Sequence, residues 1–144
     1  MLYIIGIGLG NEKDITINAK DILKNCALVY IENYTSFIGF EIKKLEQLIR
    51  KKIIPVDRSF VEVETEIISK ARFKDVAFLV KGDVFSATTH TALFLRCKKE
   101  NITCKIMHNA SIITAVGDTG LSLYKFGKIV SIPFDNDLIN SPYE

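Results

Sequence analysis

Val76-Ala77-Phe78-Leu79-Val80 is an unbroken apolar run; Lys81-Gly82-Asp83 follows, and then Thr89 to Glu100, where apolar groups recur at helical spacing. A strand with no polar face must be covered on both sides, which a parallel sheet between layers of helices achieves. Gly82 lets the backbone turn sharply or come close to a ligand, and Asp83 falls at the carboxyl end of the strand, where open α/β sheets hold their ligands. Thr88 or Thr89 is expected to cap the helix. An ordinary βα turn with an aspartate and a threonine cap accounts for the same residues equally well.

The strand, loop, helix order repeats along the chain. Leu2 to Ile7 runs into Gly6-Ile7-Gly8-Leu9-Gly10, and Ile15, Ala19, Ile22, Leu23 and Cys26 mark one face of a following helix. Ala27 to Ile31 is a second strand ending in Glu32-Asn33-Tyr34-Thr35-Ser36, and Ile42, Leu45, Leu48 and Ile49 set out the next helix among lysines that form its solvated face. Ile53 to Val56 predicts a short strand that Pro55 confines to an edge. Ser59 to Phe73 contains a helix with Val63, Ile67, Ile68 and Ala71 inward and Glu62, Glu64 and Glu66 near its amino end. Ile102 to Met107 is another strand, Ser111 to Val116 a helix, and Lys128 to Ile132 an expected strand in a segment punctuated by Gly117, Gly120, Gly127 and Pro133. The fold class is therefore α/β, a mostly parallel sheet flanked by helices with right-handed crossovers. Residues 1–134 read as one domain and 135–144 as the start of an interdomain linker.

Three polar clusters fall at equivalent strand ends: Gly6 to Gly10, Gly82 to His90 and His108 to Ile112. In a parallel sheet those ends share one side, so the loops are expected to converge on a single crevice. The first loop, with Glu32 ending the next strand, suggests a nicotinamide-dependent oxidoreductase, but a dinucleotide fingerprint wants its third glycine where Asn11 stands. It also resembles the glycine loop of Rossmann-like methyltransferases, whose acidic residue before the loop is replaced here by Ile4 and Ile5. Ser86, His90 and Asp83 crowd into one loop without a nucleophile elbow, which argues against a hydrolytic triad. A binding module without catalysis is a further reading.

Composition closes off other classes. A net charge of +2 from 19 basic and 17 acidic residues gives no basic footprint for nucleic acid. Cys26, Cys97 and Cys104 are odd in number and widely spaced, which fits reduced thiols in a cytosolic, cytoplasmic protein better than disulfides or zinc. His90 and His108 have no carboxylate at helical ligand spacing, so no metal is expected, and the apolar amino terminus is too short to span a membrane. His90 reads as a helix-start histidine bonded to the preceding loop rather than an acid or base.

The residues Met1 to Leu9, Asp14-Ile15-Thr16, Tyr34-Thr35-Ser36, Asp75 to Leu79, Gly82-Asp83 with Ala87-Thr88-Thr89-His90, His108-Asn109-Ala110-Ser111-Ile112, and Val116-Gly117 with Gly120-Leu121, Leu123-Tyr124 and Phe126-Gly127 together resemble the diphthine synthase family. Their order and spacing match over nearly the whole chain. That resemblance implies the N-terminal domain of the tetrapyrrole-methylase-like (class III) methyltransferase fold. It implies S-adenosyl-L-methionine (SAM) as cofactor, S-adenosyl-L-homocysteine as product, and the modified histidine of elongation factor 2 as acceptor in diphthamide biosynthesis. Asn109 is similar to the eukaryotic form, which adds a methyl ester besides the trimethylammonium group. By position the cofactor contacts fall on Leu9, Asp83, Ser86, Ser111 and Ile112, with Leu9 and Ile112 as apolar walls.

The resemblance further implies a homodimer, with Lys125 and Phe126 near a dimer face, and places Tyr34-Thr35-Ser36 at the acceptor entrance. Val84 stands where the family has proline, and Ser86 where it has glycine or valine. The chain is shorter than family members and reads as their N-terminal part. No residue is named as the proton acceptor.

Overall fold

The computed structural model describes residues 1–34, 38–63, 65–86 and 88–130. Five strands form one sheet in the order β3-β2-β4-β1-β5: β1 Leu2–Gly6, β2 Leu28–Glu32, β3 Ile54–Val56, β4 Val76–Val80 and β5 Cys104–Met107. All pairings are parallel, with Leu2 beside both Val76 and Cys104, and Leu28 on the far side of Val76. The helices are α1 Ile17–Asn25, α2 Ile42–Ile49, α3 Arg58–Val63, α4 Thr65–Ala71, α5 Thr91–Lys99 and α6 Ile112–Ala115.

Side chains alternate across the strands, and each face of the sheet has its own core. Leu2, Ile4, Val76, Phe78 and Val80 pack with Val61, Ile67, Ile68 and Ala71 of α3 and α4 and with Leu93 and Cys97 of α5. On the other face Ile5, Val29, Ile31, Ala77 and Leu79 meet Ala19 and Leu23 of α1 and Leu45 and Ile49 of α2. β4 is buried along its whole length, which is why its sequence carries no polar residue. β3 lies at the edge with Pro55 exposed, where a residue lacking an N–H is tolerated.

This layering places the site. The chain leaves β1 toward α1 on one face and leaves the adjacent β4 toward α5 on the other. The two connections part between neighbouring strands, opening the crevice in which α/β sheets bind ligands.

Several expectations are corrected. Within Ser59 to Phe73 the described residues are helical as expected, over Arg58–Val63 and Thr65–Ala71, but Val63, expected inward, has 67% of its surface exposed. Neither Thr88 nor Thr89 caps α5. His90 occupies the cap position, and Thr88 Oγ1 donates back to the Val84 carbonyl at 2.5 Å. α6 is shorter than expected and passes into a 3₁₀ turn at Val116–Thr119. Lys128 to Val130 form no strand and are exposed. Thr35, Ser36, Glu64, Ala87, the rest of the expected strand at 131–132 and the expected linker at 135–144 lie outside the described residues.

Candidate functional site

The loops after β1 and β4 are pressed backbone to backbone. Ile7 N–H donates to the Val80 carbonyl at 2.9 Å, and Gly8 and Gly82 exchange hydrogen bonds of 3.2 and 3.0 Å. Both glycines have positive φ, 76° and 74°, a conformation other residues adopt only at a cost. A Cβ on Gly6 would meet the Gly82 carbonyl oxygen at 2.5 Å, so glycine there is required by the close approach of the loops. Lys81 ties the same loops from the side, its Nζ donating to the Leu9 carbonyl at 2.6 Å while lying 5.5 Å from the centre of the Phe40 ring. Asp14 Oδ2 accepts from Gly10 N–H at 2.6 Å and closes the first loop on itself.

Asp83 is the hub of the crevice. Its Oδ1 accepts from Phe85 N–H at 3.1 Å and from Ser86 Oγ at 3.2 Å. Its Oδ2 accepts from His108 Nδ1 at 2.8 Å and Asn109 N–H at 3.1 Å. Burial disfavours the charge, but the bonds from Asn109, His108 and Phe85 outweigh it and hold the carboxyl below the usual carboxylate range. The third loop is thereby fastened to the second. Asn109 fastens it to the first as well, its Nδ2 donating to the carbonyls of Gly6 at 3.0 Å and Asp14 at 3.1 Å. Its Oδ1 accepts from Ala110 N–H at 2.7 Å.

Leu9 and the third loop therefore meet beside Gly82, next to Asp83. A Cβ on Gly82 would stand 3.6 Å from both Leu9 Cδ2 and the Ala110 carbonyl, so Leu9 and the third loop overhang the same glycine. Ser86 is bound to Asp83. Ser111 is buried and caps α6, its Oγ accepting from Ile113 N–H at 3.1 Å, which leaves Ile112 outward with 66% of its surface exposed. Val84, at the position noted for lacking proline, is fully buried and anchors the loop in the core.

The structure overturns two further readings. The nicotinamide-dependent reading needs Glu32 beside the first glycine loop to contact the cofactor ribose, but β4 lies between β1 and β2, so Glu32 does not flank that loop. Its carboxylate is 2% exposed, with Oε2 at 2.9 Å from His90 Nε2. His90 accordingly bonds to the end of β2 and not to its own preceding loop, and the Phe78 ring edge packs on it with centroids 5.1 Å apart.

Of the expected acceptor entrance only Tyr34 is described; it is half-buried, and the Arg58 guanidinium lies 5.7 Å from its ring. The braces made by Lys81, Asn109 and His108 were not legible as braces, because each joins loops far apart in the chain and no local spacing marks them. A surface cleft of about 420 Å³ bordered by Met1, Phe73, Glu100 and Thr103 lies at the opposite, amino end of the strands. Among the described residues no group of His, Cys, Asp and Glu could hold a metal, and no helix is long and apolar enough to cross a membrane.

The chain is similar to known proteins. The chain is 49% identical over 138 residues to diphthine methyl ester synthase of Bos taurus, covering 95% of this chain and 48% of that protein. It is 48% identical over 139 residues to the Saccharomyces cerevisiae protein of that name, covering 95% of this chain and 46% of the relative. The chain thus spans about half the length of the curated relatives it matches. Among solved structures, a putative diphthine synthase from Entamoeba histolytica superposes with a TM-score of 0.80 at 46% identity, covering 89% of this chain and 48% of that one. A second diphthine synthase structure gives 0.84 at 37% identity, covering 88% and 51%. The sequence model described as Tetrapyrrole (Corrin/Porphyrin) Methylases matches residues 1–139, and with five parallel strands opening on a crevice between β1 and β4 the chain belongs to that family.

Proposed function

We propose that this chain carries the donor-binding half of a SAM-dependent methyltransferase of diphthamide biosynthesis, acting on the modified histidine of elongation factor 2 as a methyl ester synthase. The observation that supports this reading most is the meeting of the three loops over Gly82, beside Leu9 and Asp83. Near half identity to diphthine methyl ester synthases over the same span supports the substrate class.

The residues fit the cofactor in kind. An adenosyl group asks for apolar walls, which the half-buried Leu9 and the outward Ile112 offer, and a sulfonium is favoured beside the ionised Asp83 and backbone carbonyls. When bound, SAM supplies an electrophilic methyl group on a positively charged sulfur. The chain's own contribution is to hold the loops rigid and exclude water, so positioning accounts for much of the rate. A cytoplasmic homodimer completes the proposal, with the exposed Tyr124 and Phe126 near the dimer face.

Thermal unfolding with S-adenosylhomocysteine tests the cofactor. A ligand at about 100 times its Kd stabilises by about 2.7 kcal/mol, which for a chain of this size raises Tm by about 5–10 °C. NAD should produce no shift; stabilisation by NAD alone would reverse the assignment. For the acceptor, elongation factor 2 bearing the unmethylated precursor is incubated with SAM and the protein at the full length its gene encodes. A mass gain of four methyl groups is the expected outcome, and three would indicate trimethylation without the ester.

A further inference from the structure

We propose that His108 is the proton acceptor for the amine being methylated, with Asp83 as the positioning residue that aims it. The proposal deepens the methyltransferase reading and rests on it. An amine attacks an electrophilic methyl only with its electron pair free, so an acceptor that arrives as an ammonium must first lose a proton. Among the described residues, the crevice offers one group built for that task.

His108 Nδ1 lies 2.8 Å from Asp83 Oδ2, and Asp83 is itself fixed by bonds from Phe85 N–H, Ser86 Oγ and Asn109 N–H. An ionised carboxylate only accepts hydrogen bonds, so Nδ1 must carry the proton, and in the neutral ring Nε2 is left with its lone pair. The carboxylate is 10% exposed and the imidazole 67%, so the dyad has a buried anchor and an open face. The Phe85 ring, 6.1 Å away between centroids, restrains the imidazole from the side. Asp83 is the charged group in contact with His108 among the described residues; Lys105, on the strand that leads into His108, is exposed.

In the step itself the ammonium N–H bond breaks and an Nε2–H bond forms. The electron pair stays on the acceptor nitrogen, and the imidazolium that results is stabilised by Asp83. The proton then passes from the exposed ring to solvent, which resets the base for the next methyl group.

Two measurements on the full chain test this. The nitrogen NMR shifts of the neutral His108 ring, with no ligand present, should show a protonated Nδ1 and a bare Nε2, and Asp83→Asn should abolish that bias. A ring protonated at Nε2 would overturn the proposal. In the second, His108→Asn keeps a side-chain N–H close to the place of Nδ1, preserving the tie to Asp83, but has no base. It is expected to bind S-adenosylhomocysteine as the wild type does, to lose about 10²–10⁴-fold in kcat, and to lose the acid limb of the kcat/KM profile. Retained turnover in His108→Asn would make the dyad a structural tie only. Absence of turnover in the wild type would count instead against the methyltransferase reading, and the ring tautomer would still decide the geometry of the dyad.

Discussion

At Asp83 four hydrogen bonds converge on one carboxylate, and its depressed pKa turns that geometry into a pH dependence. The sign follows from linkage: a group ionising more readily in the folded state contributes stability that is present in full above its ordinary value and is lost as pH falls through the lower, folded value. Replacing Asp83 by Asn should therefore cost about 1–3 kcal/mol at neutral pH, in the range for buried bonds to a charged acceptor. The gap between the two proteins should close in strong acid, once the wild-type carboxyl is protonated. Urea unfolding followed from neutral pH down to below the ordinary carboxylate range measures it. A gap that widens toward acid would contradict the assignment of Asp83 as ionised.

Elements are joined by a different pair. Glu32 ends β2 and His90 starts α5, and their 2.9 Å bond, fully buried against Phe78, holds the amino end of the helix to the sheet. A hydrogen bond between two such groups contributes modestly, but removing one partner leaves the other buried at a loss. His90→Ala is expected to destabilise the fold by about 1–3 kcal/mol in a denaturant titration. Glu32→Gln, which can still accept from the ring, should cost less. Equal losses in the two variants would mean that packing of the imidazole, and not its bond, is what matters. Because α5 follows the loop bearing Asp83 and Ser86, His90→Ala should also weaken S-adenosylhomocysteine binding more than its distance in sequence from Leu9 and Ile112 suggests.

Across the whole molecule, stability should fall from the middle of the sheet outward. β4 is paired on both sides and covered by helices on both faces, whereas β3 and β5 are edge strands whose burial is partial. Native-state hydrogen exchange should find the slowest amides in β4 and β1, and edge-strand amides as slow as those of β4 would contradict the layering. The alternation of strands and helices, the buried β4 and the glycine turns were all legible in the sequence. They depend on local periodicity and on the few residues that accept positive φ, and both are written into neighbouring positions. Convergence of the three loops was legible too, because parallel strands end on the same side. What the sequence left open is the order of the strands, and with it every pairing across the crevice. β4 inserts between β1 and β2, which removes Glu32 from the first glycine loop and gives it to His90, and brings His108 onto Asp83. Such contacts join residues far apart in the chain, chosen by which side chains fill the two faces of one sheet; only the folded molecule decides them.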